Sequence, residues 1–169
     1  IVVRDEPHRP RGLRSRAFDG EGLPTAARDI VVDGRITGWL LDTASAKQLG
    51  LEPTGHASRG GGASGVSASN LHLAAGSIAP DALIADIDRG VYITELIGQG
   101  VNPVTGDYSR GASGFLIEGG RIAGPIAEFT IAGNLIDMFA ALVPADDLVF
   151  RHSTNVPTLR IDGMTVASS

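Results

Sequence analysis

The sequence predicts a β-dominated α+β fold, with an antiparallel sheet or barrel-like core and about three short helices. Short apolar runs alternate with tight-turn signals along most of the 169-residue chain, a pattern typical of antiparallel strands. Helix caps and helical spacing of apolar residues are confined to three short stretches. Hydrophobic residues make up 43% of the chain and charged residues 20%, which is the composition of a globular protein.

The N-terminal stretch "IVVRDEPHRPRGLRSR" is rich in Arg and Pro. We interpret residues 1–15 as a linker and residues 16–169 as one domain, because a chain of this length suits a single domain. Since the chain starts without Met, we expect it to be a fragment of a longer protein.

Three tight turns are predicted to join strands into hairpins. Asp33-Gly34 lies between two apolar runs in "RDIVVDGRITGWLL", which is the strongest short-range hairpin signal. Asp162-Gly163 repeats this pattern in "LRIDGMTV", and Glu118–Gly120 repeats it in "GFLIEGGRIAG". Residues 58–70 are instead rich in Gly and Ser, and they predict a flexible loop.

The first two helices are predicted from their ends. In "DTASAKQLG", Asp42 can cap the N-terminus, and Gly50 can end the helix in a left-handed conformation. In "PDALIADIDRG", Pro80 suits the first helical position, and Arg89 followed by Gly90 suits the C-terminal end.

The third helix is predicted in "NLIDMFAALVP", which Asn134 can cap and Pro144 ends. Four apolar residues recur there at helical spacing. We therefore expect one buried face, formed by Leu135, Met138, Phe139 and Leu142.

Charge and composition exclude several classes of partner. The net charge of −5 argues against direct nucleic acid binding and against an anionic membrane surface, because both need a basic protein surface. No apolar run approaches the ~20 residues that span a membrane. The absence of Cys excludes disulfides, thiolate nucleophiles and cysteine-zinc sites, and it is compatible with a reducing cytoplasm.

The four histidines lack the spacing of a zinc protease motif, which places two His one helical turn apart; they are His8, His56, His72 and His152. His56 and His72 could share a metal ion across the loop at residues 58–70. Ordinary polar histidines are the simpler interpretation.

Two carboxylates lie in the turn "FDGEG". Asp19 and Glu21 could bind a hard cation through their oxygens. A solvated acidic turn accounts for the same two residues, and we prefer it.

Neither a serine hydrolase nor a phosphate-binding loop is favoured. Ser109, in "DYSRG", has Asp107 where a nucleophile elbow requires its first Gly. Ser64 and Ser113 lie in "ASG" without the required spacing. The glycines of "GVNPVTGD" are spaced one residue too far for a P-loop, and Asp107 occupies the position of its Lys.

The segment "WLLDTASAKQLGL" leaves two interpretations open. Retroviral-type aspartic proteases place a catalytic Asp in an apolar-apolar-Asp-Thr-Gly motif, and two chains each contribute one Asp. Here Asp42-Thr43 fits that motif, but Ala44 replaces its Gly. The alternative is that Asp42 caps a helix. We prefer the cap, because it also explains Gly50.

The segment "TELIGQGVNPVTGDYSRGASGF" at residues 94–115 combines several glycines with a run of polar side chains. In a structural interpretation the glycines provide backbone freedom, Asp107 pairs with Arg110, and Tyr108 packs its ring. In a functional interpretation the segment is a loop that lines a cavity where a peptide or a partner docks. We prefer the structural interpretation. The candidate residues for the functional interpretation are Asn102, Asp107, Tyr108, Ser109 and Arg110.

This segment, followed by "EFTIAGNLIDMF", resembles the C-terminal domain of the TldD/PmbA family, also known as modulators of DNA gyrase. "RAFDGEG", "WLLDTASAKQLGL" and "TGH", which contains His56, are similar to the same family in the same order. The resemblance extends from about Arg16 to Met164.

The resemblance implies a two-subunit cytoplasmic zinc metalloprotease that acts on unfolded peptides, in microcin maturation and antitoxin turnover. The TldD subunit holds zinc through a His-Glu-x-x-x-His motif in its N-terminal domain and a Cys in its C-terminal domain. The PmbA subunit, also named TldE, lacks the zinc motif. Because this chain has no Cys, it matches the PmbA/TldE side, and no catalytic or metal-binding residue is transferred to it.

We therefore expect a non-catalytic subunit with no cofactor of its own, which works with a TldD-type zinc subunit. In isolation the chain could form homodimers. A bare peptide or protein interaction domain stays open as an alternative, because fold and family do not determine function alone.

Overall fold

The computed structural model describes residues 1–60 and 65–168, and these residues form two compact units. Unit 1 comprises Ile1–Ala75 and Leu148–Pro157, and unit 2 comprises Gly76–Asp147 and Thr158–Ser169. The strands, in chain order, are β1 (Val3–Asp5), β2 (Arg28–Val32), β3 (Arg35–Ile36), β4 (Ala57–Ser58), β5 (Gly65–Val66), β6 (Leu71–Leu73), β7 (Arg89–Ile97), β8 (Asp107–Glu118), β9 (Arg121–Asn134), β10 (Val143–Pro144), β11 (Thr154–Asn155), β12 (Leu159–Arg160) and β13 (Thr165–Ser168). The helices are α1 (Thr43–Leu49), α2 (Pro80–Ala85) and α3 (Leu135–Ala140).

Unit 1 contains a five-stranded sheet in the order β11-β6-β1-β2-β3. The strand β1 pairs antiparallel with β2 on one side and with β6 on the other. Residues 1–15, which we expected to be a linker, thus include a strand in the middle of this sheet. That expectation was wrong, because Arg and Pro dominated the composition and concealed the short apolar run that begins the chain.

Unit 2 contains a four-stranded antiparallel sheet in the order β13-β9-β8-β7. Its buried centre consists of Ala112, Phe129 and Ile131, and partly buried apolar side chains pack around them. In the described part of the chain the strands form open sheets rather than a closed barrel. The predicted fold class, β-dominated with antiparallel sheets and three short helices, is confirmed.

Two of the three predicted hairpins are confirmed. Asp33-Gly34 joins β2 to β3, and Gly119-Gly120 joins β8 to β9. All four residues have positive φ, between 51° and 75°, as two-residue type I′ turns require.

The hairpin predicted at Asp162-Gly163 does not form. The strands on either side of this turn belong to different sheets, since β12 pairs with β10 and β13 pairs with β9. The turn signal was correct, because Gly163 has φ 80°. It could not reveal which strands would pair.

The helices begin where predicted, but two of them end early. α1 has Asp42 as N-cap and Gly50 as a left-handed C-cap, both as predicted. α2 ends at Ala85, so Arg89 and Gly90 begin β7 instead of ending a helix.

α3 has the predicted cap Asn134, but it stops at Ala140. Met138 and Leu142 are buried, Leu135 is half-buried, and Phe139 is exposed. The prediction of one buried face was therefore wrong for Phe139, because the helix is too short to bury a continuous stripe. None of the helices in the described ranges is long and apolar enough to cross a membrane.

The predicted flexible loop at residues 58–70 is only partly described. Residues 61–64, which include Ser64, lie outside the described ranges. On either side, Ala57 and Ser58 pair with Val66 and Gly65. At the end of the segment Ser69 is buried and hydrogen-bonded, so this part is ordered structure rather than a loose loop.

Candidate functional site

The segment at residues 94–115 is mostly strand in the structure. β7 ends at Ile97, residues 98–106 form a connection, and β8 begins at Asp107. Asn102 lies in the connection as predicted, whereas Asp107 and the three candidates that follow it belong to β8. The expectation that these four residues lie in a loop was wrong, because β9 pairs with them along its C-terminal half.

The connection is held by its own polar groups. The Asn102 Oδ1 atom accepts hydrogen bonds from the backbone N–H groups of Val104 and Thr105. The Thr105 hydroxyl donates to Asp107 Oδ2 over 2.7 Å. These contacts form a compact Asx-type turn, so the Asn102 and Asp107 side chains stabilise the connection.

Gly100 is required by a close approach of two backbones. Ser109 N donates to Gly100 O over 2.7 Å. A Cβ atom added at Gly100 would lie 1.6 Å from Ser109 O, a distance that no side chain tolerates. The structural interpretation of this glycine is thus supported by geometry.

The remaining candidates alternate along β8, as side chains of a strand do. Tyr108 packs against the buried centre of unit 2, as predicted, and Ser109 is exposed. The Arg110 guanidinium donates to Leu96 O over 3.2 Å. Arg110 therefore joins β8 to β7, in place of the expected pair with Asp107.

His56 lies in a buried polar network within unit 1. Its Nε2 atom donates to Asp5 Oδ2 over 3.2 Å, and its Nδ1 atom lies 2.8 Å from Thr54 Oγ1. Ser69 donates to Asp5 through both its backbone N–H and its hydroxyl, each over 2.7 Å. The network connects β1 with the segments before β4 and β6.

This network contains Ser, His and Asp, but it is not a catalytic triad. In a triad the Ser hydroxyl hydrogen-bonds to the imidazole, whereas here Ser69 donates to Asp5. Asp5, His56 and Ser69 are also buried, so no substrate reaches them. Burial alone raises the pKa of Asp5, but the hydrogen bonds from His56 and Ser69 outweigh it and leave that pKa below its ordinary value.

The roles of Asp5 and Ser69 were not predicted from the sequence. The sequence carried one usable signal, which is an acidic residue two positions after the apolar run in "IVVRD". A carboxylate at such a position is either on the far side of a strand or held by buried partners. Its partners are too distant in sequence for the pattern to identify.

The turn "FDGEG" is not the solvated acidic turn that we preferred. Asp19 is buried and accepts hydrogen bonds from the N–H groups of Glu21, Leu23 and Ala57. Glu21 accepts hydrogen bonds from the N–H and the hydroxyl of Thr43. Both carboxylates therefore connect this turn to neighbouring segments of unit 1.

Asp42 is buried, and its Oδ1 atom accepts a hydrogen bond from Ser45 N over 2.8 Å. This is the geometry of a helix N-cap. A catalytic aspartate of the retroviral type must face a second carboxylate and a water molecule. The position of Asp42 favours the cap.

His72, the other member of the metal pair that we considered, packs its ring edge against Phe150 at 5.1 Å. The Arg9 guanidinium stacks on the same Phe150 ring at 3.1 Å. Burial, followed by the charges of Arg9 and Arg4, lowers the pKa of His72 against the opposing effect of Glu6. The lowered pKa favours the neutral imidazole. His72 is therefore a buried residue of unit 1 that packs against an aromatic ring.

Nothing in the described ranges 1–60 and 65–168 brings together three side chains that could hold a metal ion. An open cavity of about 410 Å³ does lie in unit 1, lined by Glu6, His8, Arg9, Pro10 and Ala27. Glu6 and Arg9 form an ion pair with each other over 2.8 Å. The charges that line this cavity are thus already partnered.

Known proteins match this chain over almost its whole length. The family described as "PmbA/TldA metallopeptidase C-terminal domain" matches residues 1–168. The chain is 40% identical over 168 residues to Metalloprotease PmbA of Escherichia coli O157:H7 and 41% identical to the Metalloprotease PmbA homolog of Haemophilus influenzae. Each match covers 99% of this chain and 36% of the relative, so the chain spans little more than a third of these relatives.

Solved structures show the same relationship. The crystal structure of TldE from Thermococcus kodakarensis has a TM-score of 0.88 and 27% identity, and it matches 99% of this chain and 39% of its own. A Thermotoga maritima protein that carries the name of a DNA gyrase modulator has a TM-score of 0.88 and 33% identity over the same shares of both chains. The chain therefore belongs to the PmbA/TldD family, and it corresponds to that family's C-terminal domain.

Proposed function

We propose that this chain is the C-terminal domain of a PmbA/TldE-type subunit, which is non-catalytic and supports a TldD-type zinc protease subunit in the hydrolysis of unfolded peptides. The observation that carries this proposal is the match over 99% of the chain both to PmbA proteins and to the TldE structure. Processing of peptide toxins, turnover of antitoxins and a cytoplasmic location are parts of the same proposal.

The donor chemistry of this chain does not fit a zinc site, although its relatives are named metalloproteases. The chain has no Cys. Both ring nitrogens of His56 already contact protein atoms, and His72 lies against Phe150. We therefore assign zinc, and the hydrolytic step that it supports, to the partner subunit alone.

Two other functions are less well supported. An aspartic protease built on Asp42 conflicts with the capping geometry of that residue. A bare interaction domain is consistent with the fold, but it does not account for the similarity to proteins that are named as metalloproteases.

A cleavage assay on an unfolded peptide tests the proposal. The full-length protein and a TldD-type subunit from the same organism are assayed separately and together. We expect cleavage only by the mixture, and we expect a chelator to abolish it. Cleavage by this protein alone in the presence of chelator would contradict the proposal.

The same assay can be repeated with a single-residue variant at Arg110. The Arg110→Ala change removes the hydrogen bond to Leu96 O, so it loosens the end of β7 and β8. We expect lower cleavage by the mixed complex. The control is Arg121→Ala, which changes an exposed arginine at the opposite end of β9.

A further inference from the structure

One end of the four-stranded sheet of unit 2 carries an exposed apolar surface. Val101 and Val104, in the connection between β7 and β8, expose 50% and 91% of their surface. Ile136 and Phe139, on α3, expose 74% and 59%. Residues three apart on a helix lie on the same side, so the two α3 side chains form one face. We name these four residues the apolar end.

The two parts of the apolar end are fixed to each other by hydrogen bonds. Leu135 N donates to Gly106 O over 2.7 Å, and Asn134 Nδ2 donates to Thr105 O over 3.0 Å. These hydrogen bonds hold the connection and the start of α3 together at this end of the sheet. A surface that is ordered before binding loses little conformational entropy when a partner covers it.

The two segments that form the apolar end have only acidic charged side chains, and the neighbouring cation Arg110 is held by a hydrogen bond to Leu96 O. Residues 98–109 and 133–142 contain Asp107 and Asp137, and they contain no Lys, Arg or His. The whole of unit 2 has eleven acidic residues against four arginines. A second copy of the chain would place these acidic surfaces face to face, which is unfavourable. A partner with basic residues around an apolar surface is complementary.

We propose that the apolar end is a docking surface for a different protein, which presents an apolar surface bordered by Lys and Arg. This inference rests on the proposed function, in which that protein is the TldD-type subunit. The four apolar side chains would form the water-excluded centre of the contact, and Asp107 and Asp137 would lie at its rim.

Binding of the full-length protein to the TldD-type subunit tests the apolar contact. The dissociation constant is measured by analytical ultracentrifugation for the unaltered protein and for Val104→Glu and Phe139→Glu. We expect each change to weaken binding at least about tenfold, as for central interface residues. The control is Ile122→Glu, which alters a side chain with 49% exposure at the opposite end of the same sheet, and it should bind as the unaltered protein does.

A second pair of variants tests the charge of the partner. Asp137→Lys should weaken binding, whereas Glu118→Lys, next to the β8–β9 turn, should not.

Unchanged binding by Val104→Glu and Phe139→Glu would overturn this surface and leave the proposed function intact. Unchanged or tighter binding by Asp137→Lys would contradict the inference that the partner surface is bordered by Lys and Arg. Self-association that Val104→Glu abolishes would identify a second copy as the occupant, against the proposal. No complex with the unaltered protein would overturn the proposed function, and this surface with it.

Discussion

His56 donates a hydrogen bond to Asp5 over 3.2 Å, and both side chains are buried. The pair joins the first strand of the chain to a segment that lies 51 residues later. Ser69 completes the set of donors to Asp5. Because all these groups are shielded from water, each of them depends on the others for its hydrogen bonds.

Removal of the imidazole should destabilise unit 1. His56→Ala leaves Asp5 Oδ2 with one donor fewer and opens a cavity, so we expect a loss of at least about 1–3 kcal/mol in the free energy of unfolding. Urea denaturation followed by circular dichroism measures the change. His152→Ala, at an exposed histidine, should stay within about 0.5 kcal/mol of the unaltered protein. Equal stability of the two variants would contradict the structural role of His56.

The protein should lose stability in acid through Asp5 and Asp19. Burial raises the pKa of each carboxyl group, but hydrogen bonds outweigh it and hold both pKa values in the folded state below the ordinary value of 3.8. A lowered pKa contributes stability that is complete above the unfolded-state pKa and is lost as the pH falls through the folded-state pKa. The loss should therefore begin near pH 4 and continue below it.

Asp19→Asn isolates part of this effect. The variant should be less stable at pH 7, and its free energy of unfolding should fall less steeply below pH 4, because Asn does not titrate. Urea denaturation at several pH values provides both numbers. An unchanged acid slope would show that Asp19 does not carry the pH dependence.

Asp42 should act as a cap. Asp42→Ala should cost about 0.5–2 kcal/mol of stability, whereas Asp42→Asn should retain most of it, since Asn caps helices about as well as Asp. Thermal and chemical denaturation of both variants measure this difference. Loss of a pepstatin-sensitive peptidase activity in Asp42→Asn would instead support the aspartic protease.

Gly100 should not tolerate a side chain. Gly100→Ala places a methyl group against Ser109 O, and we expect a loss of about 1–3 kcal/mol, as for other overpacking changes. Gly124→Ala is the matched control, because a Cβ atom there meets no heavy atom within 4 Å. Equal stability of the two variants would refute the close approach of the two backbones.

The isolated chain should bind no stoichiometric zinc. The chain has no Cys, both ring nitrogens of His56 contact protein atoms, and within residues 1–60 and 65–168 no three His, Asp or Glu side chains come together to hold a metal ion. Elemental analysis of protein that was purified without an affinity tag measures the zinc content. One tightly held zinc ion per chain would contradict the assignment of zinc to the partner subunit alone.

Local features of this protein could be predicted from sequence because their partners are close along the chain. The cap of α1 joins Asp42 to Ser45, and the type I′ turns need only two residues with positive φ. The family, and with it the fold class, could also be predicted, because the segment at residues 94–115 is long and specific. The cap and the turns depend on short-range hydrogen bonds and backbone conformation, which are encoded by a few neighbouring residues.

The sequence by itself thus determined the fold class, most caps and two hairpins, whereas the tertiary structure decided which distant segments meet. Asp5 accepts a hydrogen bond from Ser69, which lies 64 residues later in the chain. Asp107–Arg110 form part of a strand because they pair with β9, although turn residues precede them. Asp162-Gly163 turns the chain from one sheet to another for the same reason. Strand pairing and burial are non-local, so a residue's partner and exposure depend on the whole fold rather than on its neighbours in the sequence.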